Sequence, residues 1–271
     1  MNRHTTKILK TVLTIGIILV VVLMFSGGFF LPFISKALGR NMSSNGVEFL
    51  VFFPFGCIAI LAMVVLSLVV GYRQKAHRRE DLQKLARQNS WTFTESTTLP
   101  FLKEFNYYIN DSWLSGSNAL TGSSNNVLTG KMNGRNILVS DQIYSTGSGK
   151  NRTTHEQTLV GIELSEAQFP FMCLYPEGFM DKVFDGLTKY DIDFPNRPHF
   201  SQKYVLYGQN ENQIRAFFDD RILAFYEQQP TFTTVCGGKY LVIYGNSFLN
   251  PAQIMGQLNF LFTLSNLFLK K

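Results

Sequence analysis

The chain has 271 residues and a formal net charge of +6, with 25 phenylalanines and three cysteines. Its positive charge gathers beside two hydrophobic runs and leaves the rest near neutral, which argues against a nucleic-acid footprint. The phenylalanine content argues against a disordered tail, and the roughly 200 residues beyond those runs suffice for one domain or two small ones with a real core.

The first run, Thr11 to Phe33, is 23 residues long, and the second, Phe49 to Tyr72, is 24, both without a charged residue. At about 1.5 Å of rise per residue each covers about 35 Å, a little more than the hydrocarbon core of a bilayer. Neither shows strand alternation, so in lipid only a helix satisfies its backbone. Residues 1–72 are therefore expected to form a two-helix transmembrane hairpin. A cleaved signal peptide is the rival reading of the first run, because Arg3, Lys7 and Lys10 precede it. The length of the run and the lack of a small-x-small cleavage site weigh against that reading.

Basic residues set the expected orientation. The N-terminal tail carries Arg3, Lys7 and Lys10, and the segment after Tyr72 carries Arg73, Lys75, Arg78, Arg79, Lys84 and Arg87, whereas the intervening loop has only Lys36 and Arg40. Both termini are assigned to the cytoplasm and the protein to the inner (plasma) membrane. Residues 73–90 read as a basic juxtamembrane helix with Leu82, Leu85 and Ala86 on one side. Arg73, Lys75, Arg78 and Arg79 are its candidates for contact with anionic lipid headgroups, against the plainer reading of a solvated connector.

Residues 91–271 are expected to form a cytoplasmic α+β domain, a mainly antiparallel sheet with helices packed on it. Trp91 to Thr94 alternates as a short strand, and Asn110 to Asn126, rich in Ser, Gly and Asn, reads as loop. Asn133 and Gly134 are the pair that a type I′ turn selects, because both central residues need positive φ. That turn sets Leu128 opposite Val139 and Met132 opposite Arg135. Continuing the parity puts Ile137, Val139, Asp141 and Ile143 on one face, so a carboxylate lands among apolar neighbours.

A glycine-containing turn at 145–151 leads to a third strand over 152–164, and Phe169 to Tyr175 reads as a fourth, giving an antiparallel meander. Further on, the pattern predicts a helix over 178–188, a strand over 203–207 and one helix over 211–228 bearing Ile214, Phe217, Phe218, Ile222 and Phe225. Strands 231–236 and 239–244 flank a Gly237-Gly238 turn. A last helix opens at Asn250-Pro251 and runs to Leu269. That helix is read as packing on the sheet, with a third membrane pass as the alternative, since no charge occurs between Lys239 and Lys270.

Chemistry is sparse. Gly147 to Lys150 fails as a phosphate-binding loop, with Tyr144 in place of the first glycine and Asn151 in place of the hydroxyl. His155 and His199 lack partners at a metal-ligand spacing, and no cofactor is implied. Cys173 and Cys236 lie in apolar strands, where thiols are inert, although a disulfide between them is left open. If the turn after Tyr144 is centred on Ser148, Asp141 and His155 become cross-strand neighbours. They are the candidate catalytic pair, against the reading of a structural hydrogen bond.

Asp141, Tyr144, Gly149, Lys150, Thr154, Gln157 and Thr158, then Pro176 and Glu177, then Asp191 to Phe194, Pro198, Phe200, Ser201, Tyr204, Leu206 and Gly208 form a pattern. It resembles a family of uncharacterised bacterial membrane proteins with N-terminal transmembrane helices and a C-terminal α+β domain. Ser140 and Gln142 stand here where the resemblance implies aromatic residues flanking Asp141, and the family supplies no activity. The expectation is thus an integral membrane protein presenting a binding or interaction domain to a membrane or cytoplasmic partner. Its rivals are a membrane-tethered, hydrolase-like enzyme using Asp141 and His155 and an accessory subunit of a membrane complex.

Overall fold

The computed structural model describes residues 44–101, 105, 123–146, 149–177, 191–208 and 210–269, with side chains from Met63 onward except at Ser123 and Thr146. The chain divides into two compact units, Met1–Arg79 and Glu80–Lys271.

In the first unit, residues 11–33 of the expected hairpin lie outside the described residues. The second run falls in helix α1 (Ser44–Gln88). Its side chains are described only from Met63 to Tyr72, a stretch shorter than the roughly 20 residues a span requires. Among the described residues no helix is long and apolar enough to cross a membrane. Within Met63–Tyr72, Val64, Val65, Leu66, Leu68, Val69 and Tyr72 are exposed large hydrophobic residues.

The second unit is α+β. Its eight strands are β1 (Thr92–Ser96), β2 (Ser123–Met132), β3 (Arg135–Thr146), β4 (Thr153–Glu163), β5 (Phe169–Pro176), β6 (Tyr204–Gly208), β7 (Thr233–Gly238) and β8 (Tyr240–Tyr244). They form one sheet in the order β1-β2-β3-β4-β8-β7-β5-β6, with every pairing antiparallel. The expected meander therefore stops at β4. The C-terminal hairpin β7-β8 takes the place beside β4 that β5 was expected to occupy, because strand adjacency is decided by long-range packing and not by chain order.

Helices α2 (Pro198–Lys203), α3 (Glu211–Phe217), α4 (Asp220–Gln228) and α5 (Pro251–Leu269) follow from local signals. The single helix expected over 211–228 is broken in two at Phe218. The Asp219 carboxylate accepts the backbone N–H groups of Arg221 and Ile222, so it starts a new helix instead of continuing the old one. At the head of α5, Asn250 Oδ1 accepts from Gln253 N while Gln253 Oε1 accepts from Asn250 N, a reciprocal cap that fixes where the helix begins. Ile254, Leu258, Leu261, Leu264 and Phe268 of α5 are buried, which settles that this helix packs on the domain. Residues 178–188 lie outside the described residues.

Both faces of the sheet are covered. On the first, Leu128, Val139, Val160, Ile162, Leu174, Leu206, Leu241 and Ile243 pack with the helices and with Leu82, Leu85 and Ala86 at the end of α1. On the second, Val127, Leu159, Phe171, Cys173, Tyr175, Val235, Val242 and Tyr244 pack with Leu99, Phe101 and Phe105. A two-sided core explains why β5 and β8 read as nearly unbroken apolar runs. Asn133 and Gly134 hold φ of 50° and 79°, as the type I′ turn demands, and Leu128 faces Val139 as expected. The other hairpin turn is one residue later than its glycines suggested. Gly237 pairs with Tyr240, leaving Gly238 (φ 55°) and Lys239 as the turn. Residues 123–126, expected as loop, belong to β2. Their strand character was masked by a bulge between Asn125 and Leu128, where Asn126 has φ 49°.

Candidate functional site

The first candidate to place is Asp141. It sits on the helix-covered side of β3 and is only 2% exposed, so the parity argument was sound. The pairing with His155 was not. The strands β3 and β4 are related about a centre between Gly149 and Lys150, not about Ser148, so Asp141 lies opposite Thr158 and His155 opposite Tyr144. A three-residue offset is about 10 Å along a strand, and because it is odd it puts the two side chains on opposite faces. His155 stacks on the Tyr144 ring instead, with centroids 4.8 Å apart.

What Asp141 touches is structural in kind. Its Oδ1 accepts from Thr158 Oγ1 at 2.8 Å, and its Oδ2 accepts from Asn126 Nδ2 at 3.0 Å. Thr158 Oγ1 in turn accepts from Leu249 N at 3.1 Å, tying the strand to the segment that enters α5. The left-handed bulge residue Asn126 is what aims the amide at the carboxylate. On the opposite face Gln157 Nε2 donates to Gln142 Oε1, and Gln142 Nε2 lies 3.5 Å from Ser124 Oγ. Polar groups thus cross β2, β3 and β4 back to back on both sides of the sheet.

Neither Cys173 nor Cys236 is an activated nucleophile. Burial pushes the Cys173 thiol up to about 12 and raises that of Cys236, and both are free thiols on opposite faces of the sheet. Among the described residues no group of three His, Cys, Asp or Glu is placed to hold a metal ion. Arg73, Lys75 and Arg79 are exposed on α1, and Arg78 is partly so.

The concave feature of the domain lies on the second face and is built by register. One cross-strand row consists of Thr129, Leu138, Gly161 and Val242, and the next of Lys131, Asn136, Glu163 and Tyr240. With strands about 4.8 Å apart, four abreast give each row a length of about 14 Å. Gly161 puts no side chain into the inner row between Leu138 and Val242, and Val242 closes in on that position, where an added Cβ would stand 3.2 Å from Val242 Cγ2. The two rows, with Pro100 and Phe101 beside them, line a trough of about 370 Å³. Phe101 and Tyr240 pack ring to ring at 6.1 Å and stiffen its apolar wall.

Beyond the outer row lies a polar cleft of about 340 Å³ that includes Arg135, Ser165 and Glu166. Lys131, Asn136 and Glu163 line both spaces, so trough and cleft are continuous. Glu163 is committed there. Lys239 Nζ lies 2.7 Å from one of its oxygens and Asn136 Nδ2 donates to the other at 3.0 Å. The Lys239 bond holds its carboxyl below the usual range. Arg135 is engaged by Ser265, Asn266 and, at 4.0 Å, Glu166. Sequence reasoning missed this groove, although Gly161 inside an alternating strand was a signal for a close approach or a vacancy.

Fold and groove together define an α+β domain with an eight-stranded antiparallel sheet that carries a concave, partly apolar site on one face. No family model matches the chain, and no curated protein matches it. Among solved structures it is similar to the mycobacterial trehalose monomycolate transport factor A, TtfA. The two share 12% identity over 70% of this chain and 93% of that one, with a TM-score of 0.48.

Proposed function

We propose that the protein is a membrane-anchored binding module whose α+β domain takes up a small molecule with an apolar portion in the trough. The observation that carries this reading is the trough itself. Its volume lies within the roughly 300–1,000 Å³ of ordinary ligand pockets, and it pairs an apolar floor with a few convergent polar groups at one end. Asp141, the one carboxylate that sequence put forward for catalysis, is spent on Thr158 and Asn126 in the core. Anchoring rests on the charge-free runs at 11–33 and 49–72, and orientation on the flanking basic residues, which place the domain at the cytoplasmic side of the inner membrane. Arg73, Lys75, Arg78 and Arg79 then meet anionic headgroups.

The test is native mass spectrometry of the full chain purified from its own cells, wild type against Leu138→Asp. Leu138 is partly buried and lines the trough, so a carboxylate there blocks an apolar ligand, and circular dichroism checks that the variant is folded. A small-molecule adduct present in the wild type and lost in the variant is expected. An adduct retained equally by both, or none in either, overturns the reading.

A further inference from the structure

We infer that the groove is a site for a single-chain anionic amphiphile, with its apolar chain along Thr129, Leu138, Gly161 and Val242 and its anionic head at Lys131. This rests on the reading of the trough as a binding site and names the chemistry of its occupant.

Three observations converge on that chemistry. The inner row is apolar apart from the Thr129 hydroxyl, and Gly161 adds no side chain to it, so a slim chain fits better than a bulky ring system. The polar end is concentrated on one side, where the trough opens into the cleft, so the occupant must be apolar along its body and polar at one end. Charge then decides the sign of the head. Glu163 is neutralised by Lys239, and Arg135 and Glu166 face each other. Lys131 is exposed, lines both spaces and forms no ion pair among the described residues. Its backbone is held in place, since Lys131 O accepts from Trp91 Nε1 at 3.2 Å. The junction of trough and cleft therefore presents one uncommitted cation on a fixed strand, which complements an anion and repels a cationic head. An anion also avoids the two carboxylates, which are already engaged.

The full chain in phosphatidylcholine nanodiscs, with empty nanodiscs as reference, is titrated with octanoate, octanol and octyltrimethylammonium, and binding is followed by saturation-transfer NMR. Octanoate is expected to bind tightest and octyltrimethylammonium weakest. Lys131→Gln should weaken octanoate by about fivefold, the scale of one exposed charge pair, and leave octanol unchanged. Leu138→Asp should abolish octanol binding, with circular dichroism confirming that both variants are folded. If octanol and octanoate bind equally, Lys131→Gln changes neither and Leu138→Asp removes both, the anionic head is overturned while the trough stands as a site. If none of the probes responds to Leu138→Asp, the trough is not the site, and both readings fall.

Discussion

Replacing Thr158 by Val tests whether the Asp141 node holds the domain together. Val keeps the branched shape and fits a strand, so the perturbation is confined to one hydroxyl. That hydroxyl is fully buried and does two things at once, donating to Asp141 Oδ1 and accepting from Leu249 N. Removing it takes one charge-assisted bond from the carboxylate, worth about 1.5–3 kcal/mol, and leaves a buried N–H short of an acceptor at about 1–3 kcal/mol. The methyl gained offsets about 1 kcal/mol of this. A net loss of about 1.5–5 kcal/mol follows, and at about 2–4 °C per kcal/mol for a domain of this size it lowers Tm by about 3–20 °C. Thr158→Ser keeps the hydroxyl and should stay within about 1.5 kcal/mol of wild type, the scale of a small core truncation. Thermal unfolding of the full chain in detergent, followed by circular dichroism, reads both. Thr158→Val with an unchanged Tm, or Thr158→Ser as damaging as Thr158→Val, would refute the argument that the node is structural.

Asp191 makes a prediction with a definite sign. Burial, followed by the charges of Asp193 and Glu177, raises its pKa from 3.8 to about 6, although Leu206 N donates to it at 2.9 Å. The folded state therefore holds this proton more tightly than the unfolded chain. The associated stability is fully present below about pH 4 and is lost as the pH rises through about 6. The Tm of Asp191→Asn relative to wild type should climb between pH 4.5 and pH 7; a flat or falling difference would remove the effect. For orientation, reporter fusions after Lys271 should be active in the cytoplasm and fusions within residues 34–48 in the periplasm. A fusion after Lys271 active only in the periplasm would reverse the placement of the whole domain.

Local signals in the sequence were sufficient where one or two residues decide a backbone conformation. Asn133 and Gly134 supply positive φ, Asn250 and Pro251 start a helix, and strict alternation carries Asp141 to the correct face. They were insufficient wherever a pairing depends on the geometry of a longer connection. Nothing between Tyr144 and Arg152 states whether the strands are centred on Ser148 or one and a half residues later, yet that choice exchanges Thr158 for His155 as the partner of a buried carboxylate. Asp219 shows a different failure. It sits within an apolar pattern that continues at helical spacing on both sides, and only its two backbone contacts reveal it as a cap.

The groove shows why a binding site of this kind escapes motif reading. Lys131, Asn136, Glu163 and Tyr240 come from four strands, and no two of them are within four residues of each other in the chain. They become a row only because three antiparallel registers coincide. Gly161, which lines the trough beside that row, carries no signature beyond a weak strand position. Each residue has an ordinary reading when taken alone: an exposed lysine, an exposed asparagine, a paired glutamate and a core tyrosine. Chemistry enters with the arrangement. Lys131, which forms no ion pair among the described residues, stands where an apolar floor ends, whereas Glu163 and Arg135 have partners, and this asymmetry gives the surface a preferred sign and direction for a ligand. A shift of a single residue in the β3-β4 register would send Leu138 to face the helices and separate Asn136 from Glu163. The interactions that hold that register, among them the bond between Asp141 and Thr158, are therefore also what hold the groove.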